Sequence, residues 1–310
     1  MKLGVDLGGT KTEVILLTNE NNTIFRKRIP TQRETYDDIL SGILSLVKEA
    51  DNKAGCLLPV GVGIPGTVDN QTSTIKNANL TLLIGKPLQN DLRKLLGRPV
   101  RTANDANCFA LSEALDGAGK GYGTVFGVIV GTGCGGGIII NGKVHVGANA
   151  IAGEWGHNTL PAQKAEEMPG PACYCGRNGC IETFISGTGF EQAYQKITNR
   201  RLKADDIISL ASAGDKTADA IVAGLEDRMA RALASVINVI DPHCIVLGGG
   251  LSNIDRLYQN IPKIWGKYIF NPGDINTLLL KPQHGDSSGV RGAAWLWNDL
   301  SRPANENELS

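Results

Sequence analysis

The chain has 310 residues, 42% hydrophobic and 20% charged, a balance typical of soluble globular proteins and unlike that of disordered ones. Because domains cluster near about 100–150 residues, this length predicts two of them. Lysine plus arginine equals aspartate plus glutamate at 31 each, and a net charge of zero argues against binding nucleic acid or an anionic membrane.

Targeting signals are missing from the printed sequence. No apolar run approaches the ~20 residues that span a bilayer, and the N-terminal segment lacks the apolar core and cleavage site of a signal peptide. We therefore expect a cytoplasmic protein. The seven cysteines then favour metal binding or catalysis over a disulfide framework, because the cytoplasm keeps thiols reduced.

The first part of the chain predicts a β-hairpin followed by alternating helices and strands. Apolar residues between Tyr36 and Val47 recur at three- and four-residue steps, which indicates an amphipathic helix. Two apolar runs around Gly8-Gly9 are typical of a hairpin. The predicted elements are strands at 2–7, 13–17, 23–29, 59–64 and 99–103 and helices near 88–96 and 106–115.

The second part repeats this pattern. A strand at 124–130, a glycine loop at 131–137 and a return strand at 138–140 precede an irregular stretch at 147–180, which is too long for a plain loop and is expected to be functional. A long helix then ends before Pro242, and a strand at 244–247 runs into three glycines. A closing helix is expected at 290–297 and a frayed tail at 305–310.

This weak duplication predicts two α/β domains with a ligand between them. We place the first at 1–118 and the second, larger one at 119–289, with a boundary in the glycine-rich segment 117–123. The C-terminal helix, 290–300, is expected to pack back on the first domain.

Two glycine turns are candidate phosphate sites. At the first, a strand ends on Asp6, and Gly8, Gly9, Thr10 and Lys11 follow, so that free amides, a hydroxyl and an ammonium come together. The second, 131–137, matches G-x-G-x-x-G but runs into a strand, whereas a dinucleotide-binding loop opens a helix. Two equivalent hairpins would suit a nucleotide held from both sides. The alternative for the first segment is a plain hairpin turn, and the alternative for the second is a glycine-rich connector that binds no ligand.

Two shorter segments have both a functional and a structural interpretation. Gly248-Gly249-Gly250 could admit an adenine or ribose, or could be a tight exit from a strand. Asp105, in Asn104-Asp105-Ala106-Asn107, could accept a proton from an attacking hydroxyl. It could equally be an acid placed favourably at a helix N-terminus.

A cysteine cluster predicts a metal site. Cys173, Cys175 and Cys180 give Cys-x-Cys-x4-Cys, and His157 lies sixteen residues upstream in the same irregular stretch. Three thiolates and one imidazole make a closed tetrahedral zinc site of the structural type. Buried free cysteines are the alternative.

Taken together, these segments resemble the ROK family of sugar kinases and sugar-responsive repressors. They cover nearly the whole chain in order: DLGGTKT (6–12), GIPG (63–66), NDAN (104–107), GTGCGGG (131–137), GEWGH (153–157), CYCGRNGCIE (173–182) and LGGGLS (247–252). The pieces KNAN (76–79), CIETFISGTGF (180–190) and HGDSSGVRGAAWLW (284–297) are most similar to the bacterial fructokinase/mannokinase branch, and N-acetylglucosamine kinases share much of the pattern.

The resemblance implies an actin/hexokinase-like, ribonuclease H-like fold of two domains, MgATP as phosphoryl donor, and a homodimer. It implies that Asp6 orients Mg²⁺, that Asp105 is the catalytic base, and that His157 both binds zinc and contacts the sugar. The implied ATP-binding residues are Gly8, Gly9, Thr10, Lys11, Thr132, Gly133, Gly135, Gly136, Gly137, Gly249 and Gly250. The implied sugar-binding residues are Gly66, Asn79, Asn104, Asp105, Glu154, His157 and Glu182.

The expected function is ATP-dependent phosphorylation of a hexose, D-fructose to fructose 6-phosphate, with mannose also possible. An N-acetylglucosamine or N-acetylmannosamine kinase is the alternative within the same class. A non-catalytic sugar-sensing repressor is the alternative of another class. Repressors of the family carry a DNA-binding segment ahead of the first phosphate motif, which begins here at Asp6, and the zero net charge also argues against one.

Overall fold

Strands from both halves of the chain assemble into two five-stranded sheets and one small hairpin. The computed structural model describes residues 1–298. Its strands, in chain order, are β1 (Lys2–Leu7), β2 (Lys11–Leu17), β3 (Thr23–Pro30), β4 (Val60–Ile64), β5 (Thr67–Val68), β6 (Ile75–Lys76), β7 (Val100–Asn104), β8 (Thr124–Val130), β9 (Cys134–Ile140), β10 (Lys143–Val144), β11 (Cys244–Gly248) and β12 (Leu278–Leu280).

The two large sheets share one strand arrangement. The first has the order β3-β2-β1-β4-β7 and the second β10-β9-β8-β11-β12. In both, the central strand pairs antiparallel with the next strand across a hairpin and parallel with a strand from later in the chain. The duplication expected from the sequence is therefore present in the topology.

Helices cover the two sheets. They are α1 (Tyr36–Ala54), α2 (Leu88–Leu96), α3 (Asp105–Leu115), α4 (Ile181–Ile185), α5 (Gly187–Thr198), α6 (Ala204–Ser212), α7 (Lys216–Ile240), α8 (Asp255–Trp265) and α9 (Ser288–Trp295). The buried face of α1 packs with the core of the first sheet, and that of α7 with the core of the second. Within residues 1–298 no helix is both long and apolar enough to cross a membrane.

The start and end of α1 show how the sequence fixes a helix. Thr35 accepts a hydrogen bond from the amide of Asp38, and the Asp38 carboxylate accepts one from the amide of Thr35, which is a capping box. The helix ends at Gly55, whose φ of 68° lies in the left-handed region that glycine adopts without strain.

Helices α3 and α9 form a layer between the two sheets. A Cβ at Gly61 of β4 would lie 1.8 Å from the carbonyl oxygen of Ala293 in α9, and one at Gly292 would lie 1.7 Å from that of Cys108 in α3. On its other side α3 packs on β8 and β9, where a Cβ at Gly127 would lie 2.5 Å from Ala110 Cβ. The contacts of α9 with β1, β2 and β4 place this helix on the first sheet.

The chain leaves the first sheet and its helices after α3 and returns to them before α9. The buried carboxylate of Glu113 accepts hydrogen bonds from both connecting segments. Glu113, near the end of α3, is fully buried. It accepts hydrogen bonds from the amide of Ala118 at 3.0 Å, from the amides of Gln283 and His284 at 2.9 and 3.1 Å, and from the Ser288 hydroxyl at 2.7 Å. These four donors replace the water that a charged carboxylate loses on burial.

Some details differ from the sequence prediction. Strand β9 begins at Cys134, so only residues 131–133 form the second glycine turn, and Gly135, Gly136 and Gly137 are strand residues. The helix α3 belongs by sequence to the unit 1–118, yet it packs on β8 and β9 of the second sheet. The end of the predicted helix 290–300 and the tail at 305–310 lie outside the described residues. The division into two domains stays a prediction.

Candidate functional site

The first glycine turn joins β1 to β2 and is held by its own sheet. The amide of Gly8 donates to the carbonyl of Lys11 at 2.9 Å, which closes the turn. The Thr31 hydroxyl donates to the carbonyl of Gly8 at 2.7 Å, and the Thr31 amide donates to the carbonyl of Thr10 at 3.0 Å. No atom lies within 4 Å of a Cβ built on Gly9, and Lys11 is exposed. The tip of this turn is therefore fixed in position but open to a ligand.

The second glycine turn, at 131–133, joins β8 to β9 and is held by another part of the chain. The amide of Gly187 donates to the carbonyl of Gly131 at 2.7 Å, and the Thr188 hydroxyl donates to that of Thr132 at 2.9 Å. The carboxylate of Glu182 accepts from the amide of Cys134 at 2.8 Å. Within the described residues the amides of Thr132 and Gly133 have no acceptor, so they can bind an anion.

The glycines that follow this turn serve packing. A Cβ at Gly136 would lie 2.8 Å from Cδ1 of Trp155, and one at Gly137 would lie 2.7 Å from the carbonyl oxygen of Ala106. Any side chain would push Trp155 or α3 away from β9. The predicted contact of Gly135, Gly136 and Gly137 with ATP stays a prediction, and these residues lie in strand β9 rather than in the turn.

The third glycine group lies beside the second turn. Gly248 ends β11, and Gly249 has a φ of 79° with its Cα so close to β8 that a Cβ would lie 2.5 Å from the carbonyl oxygen of Val130. Gly250 begins a short 3-10 turn and has open space around it. The structure therefore brings 249–250 next to 131, as a shared nucleotide site requires.

Asp6 and Asp105 lie close enough for their charges to interact. Asp6 is at the end of β1, and its carboxylate would lie 3.1 and 3.2 Å from Cβ atoms built on Gly63 and Gly289. Burial, followed by the charge of Asp105, raises the pKa of Asp6 to about 7. Magnesium would favour the ionised form, because a bound cation stabilises a carboxylate.

Asp105 is the first residue of α3 and remains accessible to solvent. Surrounding protein atoms raise its pKa, the hydrogen bond from the Ala106 amide at 2.8 Å partly opposes this, and the charge of Glu154 adds to the rise. A carboxyl with a raised pKa and solvent access is a better proton acceptor than an ordinary aspartate.

The predicted sugar-binding residues Gly66, Asn79 and Asn104 meet on one side of Asp105. The side-chain amide of Asn104 donates to the carbonyl of Gly66 at 3.1 Å, and its oxygen accepts from the amide of Ala106 to cap α3. A Cβ at Gly66 would lie 2.9 Å from Cα of Ala78, which places the exposed Asn79 beside it. Gly66 has a φ of 104°, a second reason for glycine there.

Glu154 and His157 lie on a short turn that packs along β9. The indole N–H of Trp155 donates to the carbonyl of Gly135 at 3.1 Å and anchors this turn. The Glu154 carboxyl is exposed; the protein around it raises its pKa, His157 opposes the rise, and Glu182 adds to it. Asp6, Asp105, Glu154 and Glu182 thus form an acidic row that suits a cation at one end and hydroxyl donors at the other.

The four predicted metal ligands come together. One ligand atom each from His157, Cys173, Cys175 and Cys180 lies within 4.8 Å of the others. Nδ1 of His157 is 3.5 Å from Sγ of Cys173, and the sulfurs of Cys175 and Cys180 are 3.6 Å apart. Three sulfurs and one nitrogen fit a tetrahedral zinc ion.

The loop geometry and charge also fit a metal. Gly176 and Gly179 have φ values of 87° and 70°, which let the loop fold back on itself. Hydrogen bonding to Arg177 lowers the pKa of Cys175 to about 6, so this thiol readily gives a thiolate ligand. Burial raises the pKa of Cys180 to about 12, a value that a bound cation would bring down.

Three contacts of this site were not predicted. They are those of Glu182 with Cys134, of Thr188 with Thr132, and of Tyr174 with His157. The sequence carried one indirect signal, Ser186-Gly187-Thr188, which is typical of a helix N-terminus and does begin α5. Nothing in the sequence indicates that this N-terminus meets the second glycine turn.

Comparison with known proteins fits this arrangement. The profile of the ROK family matches residues 2–300. The chain belongs to the ROK family. A ROK hexokinase from Thermus thermophilus has a TM-score of 0.84 at 30% identity, covering 95% of this chain and 97% of that one. A ROK family glucokinase from Streptomyces griseus, solved with glucose and AMPPNP, has a TM-score of 0.76 at 28% identity, covering 95% and 98%. The predicted fold class is confirmed.

Curated ROK relatives correct one expectation. An N-acetyl-D-glucosamine kinase from Yersinia pseudotuberculosis serotype O:1b (strain IP 31758) is 43% identical over 300 residues, covering 96% of this chain and 98% of the relative. One from Pectobacterium atrosepticum is also 43% identical with the same coverage. These relatives carry the name of the predicted alternative, N-acetylglucosamine kinase, and the comparisons do not support the fructokinase/mannokinase branch.

Proposed function

We propose that this ROK protein is an ATP-dependent sugar kinase and that its acceptor is N-acetyl-D-glucosamine. The observation that carries the kinase assignment is the match to the ROK family over residues 2–300. The exposed carboxylate of Asp105 supports it, because this group adjoins Asn104 and lies within electrostatic reach of Asp6 and Glu154. The names of the 43% identical relatives support the acetylated sugar over fructose.

The chain's own groups suffice for the alignment that phosphoryl transfer needs. Among residues 1–298 the amides at 9–10 and 132–133 have no acceptor, and these amides and the ammonium of Lys11 would bind the phosphates. Asp6 is the residue placed to hold Mg²⁺, which supplies charge neutralisation when bound. Asp105 would accept the proton of the attacking sugar hydroxyl, while Asn104, Glu154 and Glu182 orient the ring by hydrogen bonds.

Zinc would have a structural role. His157, Cys173, Cys175 and Cys180 would hold it, and it would fix the loop that precedes Glu182. Because Glu182 also binds the amide of Cys134, the metal loop would stabilise the second phosphate turn as well as the sugar site. Metal analysis of purified protein is expected to give one zinc per chain. The homodimer and the cytoplasmic location remain predictions.

Release of ADP measured with five sugars tests the function. We expect the highest kcat/KM with N-acetylglucosamine and much lower values with N-acetylmannosamine, fructose, mannose and glucose. A preference for fructose would overturn the acceptor but keep the kinase. Sugar binding without turnover of any acceptor would overturn the kinase and favour the sensor alternative.

A further inference from the structure

Tyr174 is an exposed residue inside the metal-binding loop that contacts one of the predicted sugar ligands. Its side chain is 84% exposed. Its hydroxyl oxygen lies 2.9 Å from Nε2 of His157, and the two rings meet edge to face with centroids 5.1 Å apart. Within the described residues this hydroxyl has no other hydrogen-bond partner, so a single bond holds an otherwise solvent-exposed ring.

The two nitrogens of His157 face different neighbours. Nδ1 faces Sγ of Cys173 and the sulfur cluster, which leaves Nε2 as the nitrogen available to a ligand. If Nδ1 binds a metal, Nε2 carries the proton and donates it, and the Tyr174 oxygen accepts it. The oxygen of a sugar hydroxyl can accept the same hydrogen bond from Nε2. The Tyr174 hydroxyl and the sugar hydroxyl therefore compete for Nε2 of His157.

The position of Tyr174 in the chain places it beside predicted sugar ligands. It belongs to the loop that ends at Cys180, two residues before Glu182. Its hydrogen-bond partner His157 lies three residues after Glu154. Glu154, His157 and Glu182 are all predicted sugar ligands.

We propose that Tyr174 is an internal competitor of the sugar: its hydroxyl occupies Nε2 of His157 in the free protein and leaves when a sugar hydroxyl binds there. This inference rests on the proposed function and on the sequence prediction that His157 also contacts the sugar. The exposed ring can rotate away at little cost in packing. The sugar must replace one existing hydrogen bond, which lowers its affinity by about 2- to 10-fold, the usual net effect of one such bond.

The variant Tyr174→Phe tests this, because it keeps the ring and removes only the hydroxyl. Titration calorimetry with N-acetylglucosamine and no nucleotide is expected to give a Kd about 2- to 10-fold lower than in the unmodified protein. The KM for sugar is expected to fall by the same factor, while kcat, the KM for ATP and the zinc content stay the same. Tyr122→Phe is the matched control: Tyr122 also lies beside a histidine ring, that of His243, at 6.4 Å, and its replacement is expected to change none of these quantities.

A sugar Kd that is unchanged or higher in Tyr174→Phe would overturn the inference. Loss of a competing hydroxyl tightens sugar binding, whereas loss of a structural hydroxyl, or of one that donates to the sugar, does not. The imidazole NMR signals of His157 give a second readout. They are expected to differ between the two proteins without sugar and to coincide at saturation, and a persistent difference would also overturn it.

The same measurements separate this inference from the proposed function. If another of the five sugars is the one that binds, its Kd replaces that of N-acetylglucosamine in the comparison. If a sugar binds but is not phosphorylated, the kinase fails and the Kd comparison still decides the role of Tyr174. If none of the five sugars binds, both fail.

Discussion

The two glycine turns look alike in sequence but are supported by different parts of the molecule. The carbonyls of the first, Gly8 and Thr10, are held by Thr31, at the end of the strand next to it in the same sheet. The carbonyls of the second, Gly131 and Thr132, are held by the N-terminus of α5.

From this difference we expect the two turns to respond differently to sugar. The segment that supports the second turn follows the predicted zinc loop and includes Glu182, a predicted sugar ligand that also binds the amide of Cys134. A sugar that orders Glu182 would therefore order the second turn. The first turn has no such connection, and we expect its geometry to be the same with and without sugar.

The largest expected effect comes from Asp105→Asn, which changes neither turn. Removing the proton acceptor is expected to lower kcat by ~10²-fold or more, while the Kd values for sugar and nucleotide stay within about twofold. Turnover by ADP release and binding by calorimetry check this. Near-normal turnover would remove Asp105 from the role of base.

A second prediction concerns Asp6, two residues before Gly8; the corresponding residue before Gly131 is Ile129. Since the pKa of Asp6 is raised from 3.8 to about 7, its protonated form stabilises the fold below about pH 4, and this stability is lost as pH rises through 7. Asp6→Asn is therefore expected to increase the free energy of unfolding by about 2–4 kcal/mol at pH 8 in magnesium-free buffer.

Urea unfolding of both proteins at pH 5 and pH 8 tests the sign of this effect. The gain from Asp6→Asn should be smaller at pH 5, where the natural residue is mostly protonated. An equal gain at both pH values would show that the carboxyl does not titrate in this range. Turnover should also fall in the variant, though less than in Asp105→Asn, since the carboxylate is the predicted magnesium ligand.

A third prediction compares glycines of the two turns directly. A Cβ at Gly133 would lie 2.7 Å from Oε2 of Glu182, whereas one at Gly9 has no neighbour within 4 Å. Gly133→Ala is expected to displace Glu182 from the Cys134 amide and to raise the KM for both sugar and ATP by about 10-fold, the usual effect of losing a charged hydrogen bond. Gly9→Ala is the control, and we expect it to leave the KM for sugar unchanged.

The smallest expected effect distinguishes the hydrogen bonds that hold the first glycine turn from those that hold the second. Thr31→Val and Thr188→Val each remove a hydroxyl that holds one turn, and each is expected to raise the Kd for ATP by about threefold. With saturating sugar the effect of Thr188→Val should shrink, because Glu182 then holds the same turn, while that of Thr31→Val should not. Equal effects under both conditions would contradict the proposed link.

Sequence patterns predicted most of the fold because local rules dominate there. The periodicity of α1, the hairpin at Gly8-Gly9 and the long helix ending before Pro242 were all confirmed. The spacing of the cysteines also located the four candidate metal ligands, which do come together.

Sequence patterns are less informative where one residue type has two possible roles. Glycine serves both ligand approach and close packing, and only the tertiary contacts with Trp155 and Ala106 show that Gly136 and Gly137 are also needed for packing. The sequence left the acceptor sugar open between two alternatives for a similar reason, since the motifs that identify the family serve the shared chemistry of phosphoryl transfer. Contacts such as Tyr174 with His157 need the folded loop, because the tyrosine has no fixed partner in the pattern.

The buried Glu113 carboxylate has a mechanical consequence. It accepts hydrogen bonds from Ala118, in the segment that leads from the first sheet to the second, and from Gln283 and His284, in the segment that leads back. A rotation of one half against the other that keeps these bonds must therefore have its pivot at this carboxylate. Glu113→Gln replaces one acceptor oxygen with a donor, and should loosen the pivot without altering any group that touches a ligand.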